Sequence, residues 1–157
     1  MNTVQYKSSS VEETIRLGEA LGKALPRSFF IELKSDLGGG KTTFVSGLAE
    51  GLQSIDPVSS PSFTICNTYR TKNNTVIHHF DFYRLEEPGI IALELAETMN
   101  DDESGVVVEW GGLVEGLLPE DRIEVTIRST AENERLISII SPSAVVLKEI
   151  EDMKVTK

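Results

Sequence analysis

One cysteine, Cys66, in 157 residues leaves no partner for an internal disulfide and suits a reducing compartment. No apolar run approaches the roughly 20 residues that cross a bilayer. The opening stretch MNTVQYKSSSVEET lacks the apolar core of a secretion signal. The expectation is a cytoplasmic protein with no membrane segment. Bases are scarce: 15 against 25 acids, a formal net charge of −10. A surface of that sign repels phosphate backbones, which argues against broad gripping of nucleic acid. A small anion site built from backbone N–H groups and one lysine remains open. Internal repeats and low-complexity linkers are absent, and the length suits one domain, 1–157, with its own core.

What is present alternates between helical and extended patterns. Ser10 followed by Glu13 is a capping-box signal, and Val11, Ile15, Leu17, Leu21 and Leu25 predict a helix over about 11–25. SFFIELK, 28–34, reads as a short apolar strand, and KTTFVSGLAEGLQ, 41–53, as a helix with Phe44, Leu48 and Leu52 on one side. SFTICNTYR (62–70) and TVIHHFDFY (75–83) form an expected antiparallel hairpin. A helix running to about Met99, a buried-type VVV strand within 105–112, a short helix at GLVEGLL, strands at 123–129 and 135–141, and a last short helix complete the order. Crossover and hairpin connections together predict an α/β fold with a mixed sheet.

Between the early strand and the helix lies SDLGGGKTT, 35–43. It fits the phosphate-loop pattern G-x-x-x-x-G-K-[ST] except that Ser35 holds the first glycine position. Gly38, Gly39 and Gly40 let backbone N–H groups approach phosphate oxygens. Lys41 supplies a cation for the β and γ phosphates, Thr42 a hydroxyl for magnesium, and Thr43 a donor for the α-phosphate. The helix N-terminus adds partial positive charge. A plain glycine turn is the competing interpretation, and the strand–loop–helix context favours the nucleotide. No [NT]-K-x-D guanine-reading motif occurs, and TKNN at 71–74 lacks the acid, which favours ATP over GTP.

A nucleoside triphosphatase needs an acid at a nearby strand end. Asp81 in VIHHFDFYR and Glu109 in GVVVEW both qualify. The alternative for each is a strand-edge acid paired with a base, Asp81 with Arg84 for example. VVV before Glu109 indicates a central strand beside the loop-bearing one. Ser60, Ser62 and Thr64 in SSPSFT form either a phosphate-sensing segment or a proline turn. His78 and His79 are adjacent on a strand and point to opposite faces, a poor geometry for chelating one metal. Trp110 packs at a core edge or lies over the site.

Taken together, SDLGGGKTTF with GLAEGL, SPSFTICNTY, HFDFYRLEEP and VVVEW resemble, in order and spacing, the bacterial TsaE (YjeE) family of tRNA threonylcarbamoyladenosine biosynthesis. The matching spans run from about residue 10 to residue 141. The resemblance implies a P-loop NTPase-like three-layer α/β fold with a mixed central β-sheet. It implies an ATPase that uses ATP and Mg2+ and supports N6-threonylcarbamoyladenosine formation at position 37 of tRNA with TsaB and TsaD, contacting tRNA mainly through that complex. It implies that Lys41 and its loop bind ATP, that Thr42 and Glu109 hold magnesium, and that Asp81 is an essential acid. Thr64 and Ser62 fall in the family's switch segment, and Trp110 lines the site. Val11 with Ser10, and the loop ending near Arg135, match the edge that meets the nucleotide base. Four positions depart from the family pattern: Ser35 replaces a glycine, Ser62 a threonine, and Gly111 and Gly112 more polar residues. A small-molecule kinase, a non-catalytic nucleotide-binding module and a purely structural domain are the rival classes. The scattered arginines 70, 84, 122, 128 and 135 do not cluster as a kinase lid would require.

Overall fold

The computed structural model describes residues 1–36 and 38–155; Leu37, inside the glycine loop, lies outside them. Seven strands form one sheet: β1 (Asn2–Ser8), β2 (Phe29–Ser35), β3 (Cys66–Arg70), β4 (Val76–Asp81), β5 (Ser104–Glu109), β6 (Ile123–Ala131) and β7 (Glu134–Ser141). Their spatial order is β1-β7-β6-β2-β5-β4-β3. The four central strands, β6, β2, β5 and β4, run parallel, while β3, β7 and β1 add antiparallel edges. The mixed sheet expected from the connections is therefore present. β2 sits in the middle between β5 and β6, and every residue of β5 is buried, as the VVV run requires of a central strand.

Helices α1 (Val11–Ala24), α2 (Lys41–Gly51) and α4 (Ala144–Val155) share one core with the sheet. There Leu17, Leu21, Phe44, Leu48 and Ile150 close over Ile31, Leu33, Val107 and Val125. Helix α3 (Gly89–Met99) and a 3₁₀ segment, Gly111–Leu117, cover part of the other face. They enclose a second cluster of Phe80, Phe82, Leu95, Val106, Val108 and Val114. Helices, sheet and helices make the three layers.

Local chemistry explains the element ends. Ser10 Oγ accepts from the Glu13 N–H at 3.1 Å, and the Glu13 carboxylate accepts from the Ser9 N–H at 2.7 Å, so α1 starts where the capping box predicts. α1 and α2 touch through glycines on both helices. A Cβ on Gly18 or Gly22 would strike the backbone carbonyl of Phe44 or Leu48, and one on Gly47 or Gly51 the carbonyl of Ile15 or Glu19. That seam fixes α2, and with it the loop that α2 opens from.

One expectation needs correction. The strand placed at 62–70 starts only at Cys66: residues 61–65 make a single turn closed by the Ile65 N–H on the Pro61 carbonyl at 2.8 Å. Ile65 there has φ 68°, an unusual conformation for a β-branched residue. The VVV strand ends at Glu109, and Trp110 turns left-handed at φ 57° to start the 3₁₀ segment. One element was not anticipated, β1, whose Val4, Tyr6 and Ser8 face inward and pair in register with β7. Among the described residues no helix is long and apolar enough to cross a membrane.

Candidate nucleotide site

The C-terminal ends of parallel strands are where open α/β sheets place their ligands. Here the ends of β2, β4 and β5 converge with the N-terminus of α2 on a cleft of about 310 Å³. Its lining includes Gly38, Gly39, Gly40, Lys41, Thr42 and Thr43 on one side and Ser60, Ser62, Asp81, Glu109 and Trp110 on the other. Sequence-distant residues meet because β4 and β5 pair in parallel with Asp81 opposite Glu109, which sets both acids at one level on one face.

The loop side is rich in donors. α2 begins after Gly40 in a left-handed conformation, φ 101°, with no side-chain cap on its first turn. The first N–H groups of the helix are thus left for an anion. Gly38, at φ 72°, and Gly40 face open space where a Cβ would stand. Lys41 is only 8% exposed; its Nζ donates to the Asp36 carbonyl at 3.1 Å and lies 5.3 Å from the Trp110 ring centre. The same carbonyl also accepts from the Gly39 N–H and from Ser35 Oγ, each at 3.0 Å. Ser35 thus closes the loop on itself. Arg135 Nε donates to the Gly39 carbonyl at 3.1 Å and braces the loop from β7.

The acid side is held from behind. Asp81 is 4% exposed, and its carboxylate accepts from Ser62 Oγ at 3.1 Å and from the Tyr83 N–H at 2.9 Å. Arg84, weighed above as its partner, lies instead over the Phe63 ring at 4.3 Å. Glu109 is 2% exposed and takes a 2.8 Å hydrogen bond from His79 Nε2. His79 is fully buried and meets the Tyr69 hydroxyl at 3.1 Å through Nδ1. Burial raises the Tyr69 phenol above its ordinary 10.0 and keeps it a neutral hydroxyl. The sequence pattern argues against His79 as a chelator and does not assign it to the site; its place two residues before Asp81 on an alternating strand is the signal that puts it on the same face. Trp110 is 37% exposed and packs on Tyr83 with ring centres 4.9 Å apart, at the cleft rim.

A smaller hollow of about 170 Å³ continues past Gly38, Gly40 and Thr43. It brings together Ser10 and Val11 at the start of α1 with Glu132 and Asn133 from the β6–β7 turn and Arg135 from β7. The two segments assigned to the base edge are therefore neighbours, separated from the acids by the loop. Thr64 stands outside both hollows, with its hydroxyl on Asn67 Oδ1 at 2.6 Å.

The oxygen donors on the larger cleft, the Thr42 hydroxyl and the two carboxylates, suit a hard cation held jointly with phosphates. Among the described residues no cluster of three or more His, Cys, Asp or Glu forms a dedicated metal cage.

Residues 8–137 match the family model described as threonylcarbamoyl adenosine biosynthesis protein TsaE. The chain is similar to the tRNA threonylcarbamoyladenosine biosynthesis protein TsaE of Bacillus subtilis, 34% identical over 145 residues covering 88% of this chain and 85% of that one. It is 36% identical over 135 residues to the protein of the same name from Rickettsia felis, covering 85% of this chain and 77% of that one. The Treponema pallidum protein of that name is 34% identical over 137 residues, covering 84% and 96%. The crystal structure of Bacillus subtilis YdiB superposes with a TM-score of 0.78 at 26% identity, over 98% of this chain and 97% of that one. With a phosphate-type loop facing two acids in one cleft and these matches over most of its length, the chain belongs to the TsaE family.

Proposed function

We infer that the protein binds and hydrolyses ATP, and that this activity supports threonylcarbamoyladenosine formation at position 37 of tRNA in concert with TsaB and TsaD. The observation that carries the reading is the single cleft in which Lys41 and the uncapped start of α2 face Asp81 and Glu109. The names of the similar proteins supply the pathway.

Each step falls to a group on that cleft. The N–H groups of residues 38–43 receive the polyphosphate. Lys41 leaves the Asp36 carbonyl for a phosphate oxygen at little cost, because that carbonyl keeps the Gly39 N–H and Ser35 Oγ as donors. A magnesium ion bound with the nucleotide would neutralise phosphate charge, and Thr42 and Glu109 are the residues that would hold it. Asp81, fixed by Ser62 and Tyr83, orients the attacking water in line with the γ-phosphate. Val11 and Arg135 flank the base. No arginine lines the larger cleft among the described residues, so turnover is slow for the isolated chain and rises when partners complete the site. The acidic surface leaves tRNA contact mainly to those partners.

The test compares wild type with Lys41→Ala. ATP binding by calorimetry, release of free phosphate, and modified-tRNA synthesis in a system reconstituted with TsaB and TsaD should all fall together. Retention of ATP affinity by Lys41→Ala would overturn the assignment of the loop. Equal phosphate release with and without partners would overturn the stimulation.

A further inference from the structure

The larger cleft shows only the front of Glu109; behind it a chain of buried polar groups runs back into the protein. We propose that His79 and Tyr69 are positioning residues that aim Glu109 at the cleft and tie that aim to the backbone of the segment preceding β3. The inference rests on the reading of Glu109 as a metal-side carboxylate.

The geometry is continuous. His79 Nε2 lies 2.8 Å from Glu109 Oε1, with the ring N–H as donor and the carboxyl oxygen as acceptor. That bond occupies one oxygen and leaves the other for the cleft that Glu109 lines. His79 Nδ1 lies 3.1 Å from the Tyr69 hydroxyl, whose one proton is shared between Nδ1 and the Ser59 carbonyl 2.8 Å away, while its oxygen accepts from the Ser59 N–H at 3.4 Å. The Ser59 carbonyl also accepts from Asn67 Nδ2 at 3.2 Å, and Asn67 Oδ1 accepts from the Thr64 hydroxyl. Thr64, Asn67, Ser59, Tyr69, His79 and Glu109 are thus one hydrogen-bonded line. Tyr69 and Glu109 are each 2% exposed and His79 is 0% exposed, so water offers these side chains no substitute partners. The neighbouring acid has its own tie to the same segment, Ser62 Oγ to Asp81. Residues 59–64 are therefore tied to both acids, to Asp81 directly and to Glu109 through Tyr69 and His79.

A packing role alone predicts lower stability with no selective change at the cleft. A positioning role predicts loss of the part of ATP affinity that depends on magnesium. Calorimetry on the full chain would give ATP affinity in EDTA and in magnesium chloride for wild type, His79→Leu, His79→Gln, Tyr69→Phe and Glu109→Gln, with folding checked by circular dichroism. His79→Leu is expected to lose about tenfold in affinity with magnesium, as removed outer partners of a metal ligand do, and to stay within about twofold of wild type in EDTA. His79→Gln, whose amide still donates to Glu109, should recover most of that loss. Tyr69→Phe, which removes one hydroxyl and nothing of the ring, should lose several-fold with magnesium only. Should His79→Leu fail to fold, Tyr69→Phe and His79→Gln still decide. Wild-type magnesium dependence in Tyr69→Phe, or in a folded His79→Leu, would overturn the proposal if Glu109→Gln has lost it. Wild-type dependence in Glu109→Gln itself would overturn the metal-side reading of Glu109 beneath it.

Discussion

Gly39 has no room for a methyl group. A Cβ there would run into Ser35 Oγ and press on the Asp36 carbonyl at 3.0 Å. Gly39→Ala is therefore expected to weaken ATP binding about tenfold, equivalent to ~1.4 kcal/mol. Ser35→Gly in the same chain should return much of it, because the two side chains compete for one space. Ser35→Gly alone should change affinity little, since the Asp36 carbonyl still keeps the Gly39 N–H when Lys41 turns to phosphate; calorimetry on the three variants checks the set. Cys66 offers a second test. Burial pushes its thiol up to about 12, with Glu94 adding to the effect. A disulfide reagent at pH 8 should modify it slowly in the native protein and at the rate of a free thiol in denaturant. At this scale the sequence displayed the reactive groups but not their supports. Lys41, Asp81 and Glu109 stand in local patterns, whereas the bond from His79 to Glu109 joins positions 30 apart that only strand register brings together.

Among the elements, α1 and α2 form the tightest unit, and the reason is the absence of side chains at Gly18, Gly22, Gly47 and Gly51. Gly47→Val would drive a branched side chain into the Ile15 carbonyl. The expected cost is about 3 kcal/mol or more, the upper end for overpacking, read as a lowered midpoint in urea. ATP affinity should suffer with it, because α2 carries the loop. α1 was legible from its capping box and apolar spacing and α2 from apolar spacing alone; the glycine seam between them was not, since a glycine in a helical pattern looks the same whether it faces water or another backbone. β1 was legible in principle. Val4, Tyr6 and Ser8 alternate with exposed residues, but a seven-residue run with only two apolar inward positions carries a weak signal until β7 is known to lie beside it. A proline turn at SSPSFT was one of the two expectations for its residues, but the reach of the turn to residue 65 was not legible: Ile65 adopts a left-handed backbone that its β-branched side chain argues against.

Taken whole, the molecule should respond to pH through a few buried or paired groups. Burial holds the His78 imidazole below its ordinary 6.5, against the opposing pull of Asp101 and Glu94. The unfolded chain then binds a proton that the folded one refuses, so stability is full above 6.5 and declines as pH falls below it. His78→Gln should flatten that decline in urea midpoints measured between pH 7 and pH 5. At the acid end, the Arg70 guanidinium and backbone N–H hold Asp56 down to about 2 from 3.8. Any stability from that pair is present above 3.8 and lost as pH drops toward 2, though its exposure keeps the amount small. The fold class was readable because connections and apolar runs suffice to order a mixed sheet. The level pairing of Asp81 with Glu109 was not, because neither residue contains the register that sets it.

The central position of β2 also dictates an order of events during synthesis. Ile31 is flanked by Val107 on one side and Ile123 on the other, so the strand that holds the glycine loop waits for neighbours translated long after it. Contacts this remote in sequence slow folding. A nascent chain that ends before about residue 127 has bare edges on the strand at its centre. Such a fragment would be a client for chaperones before it could ever hold a nucleotide.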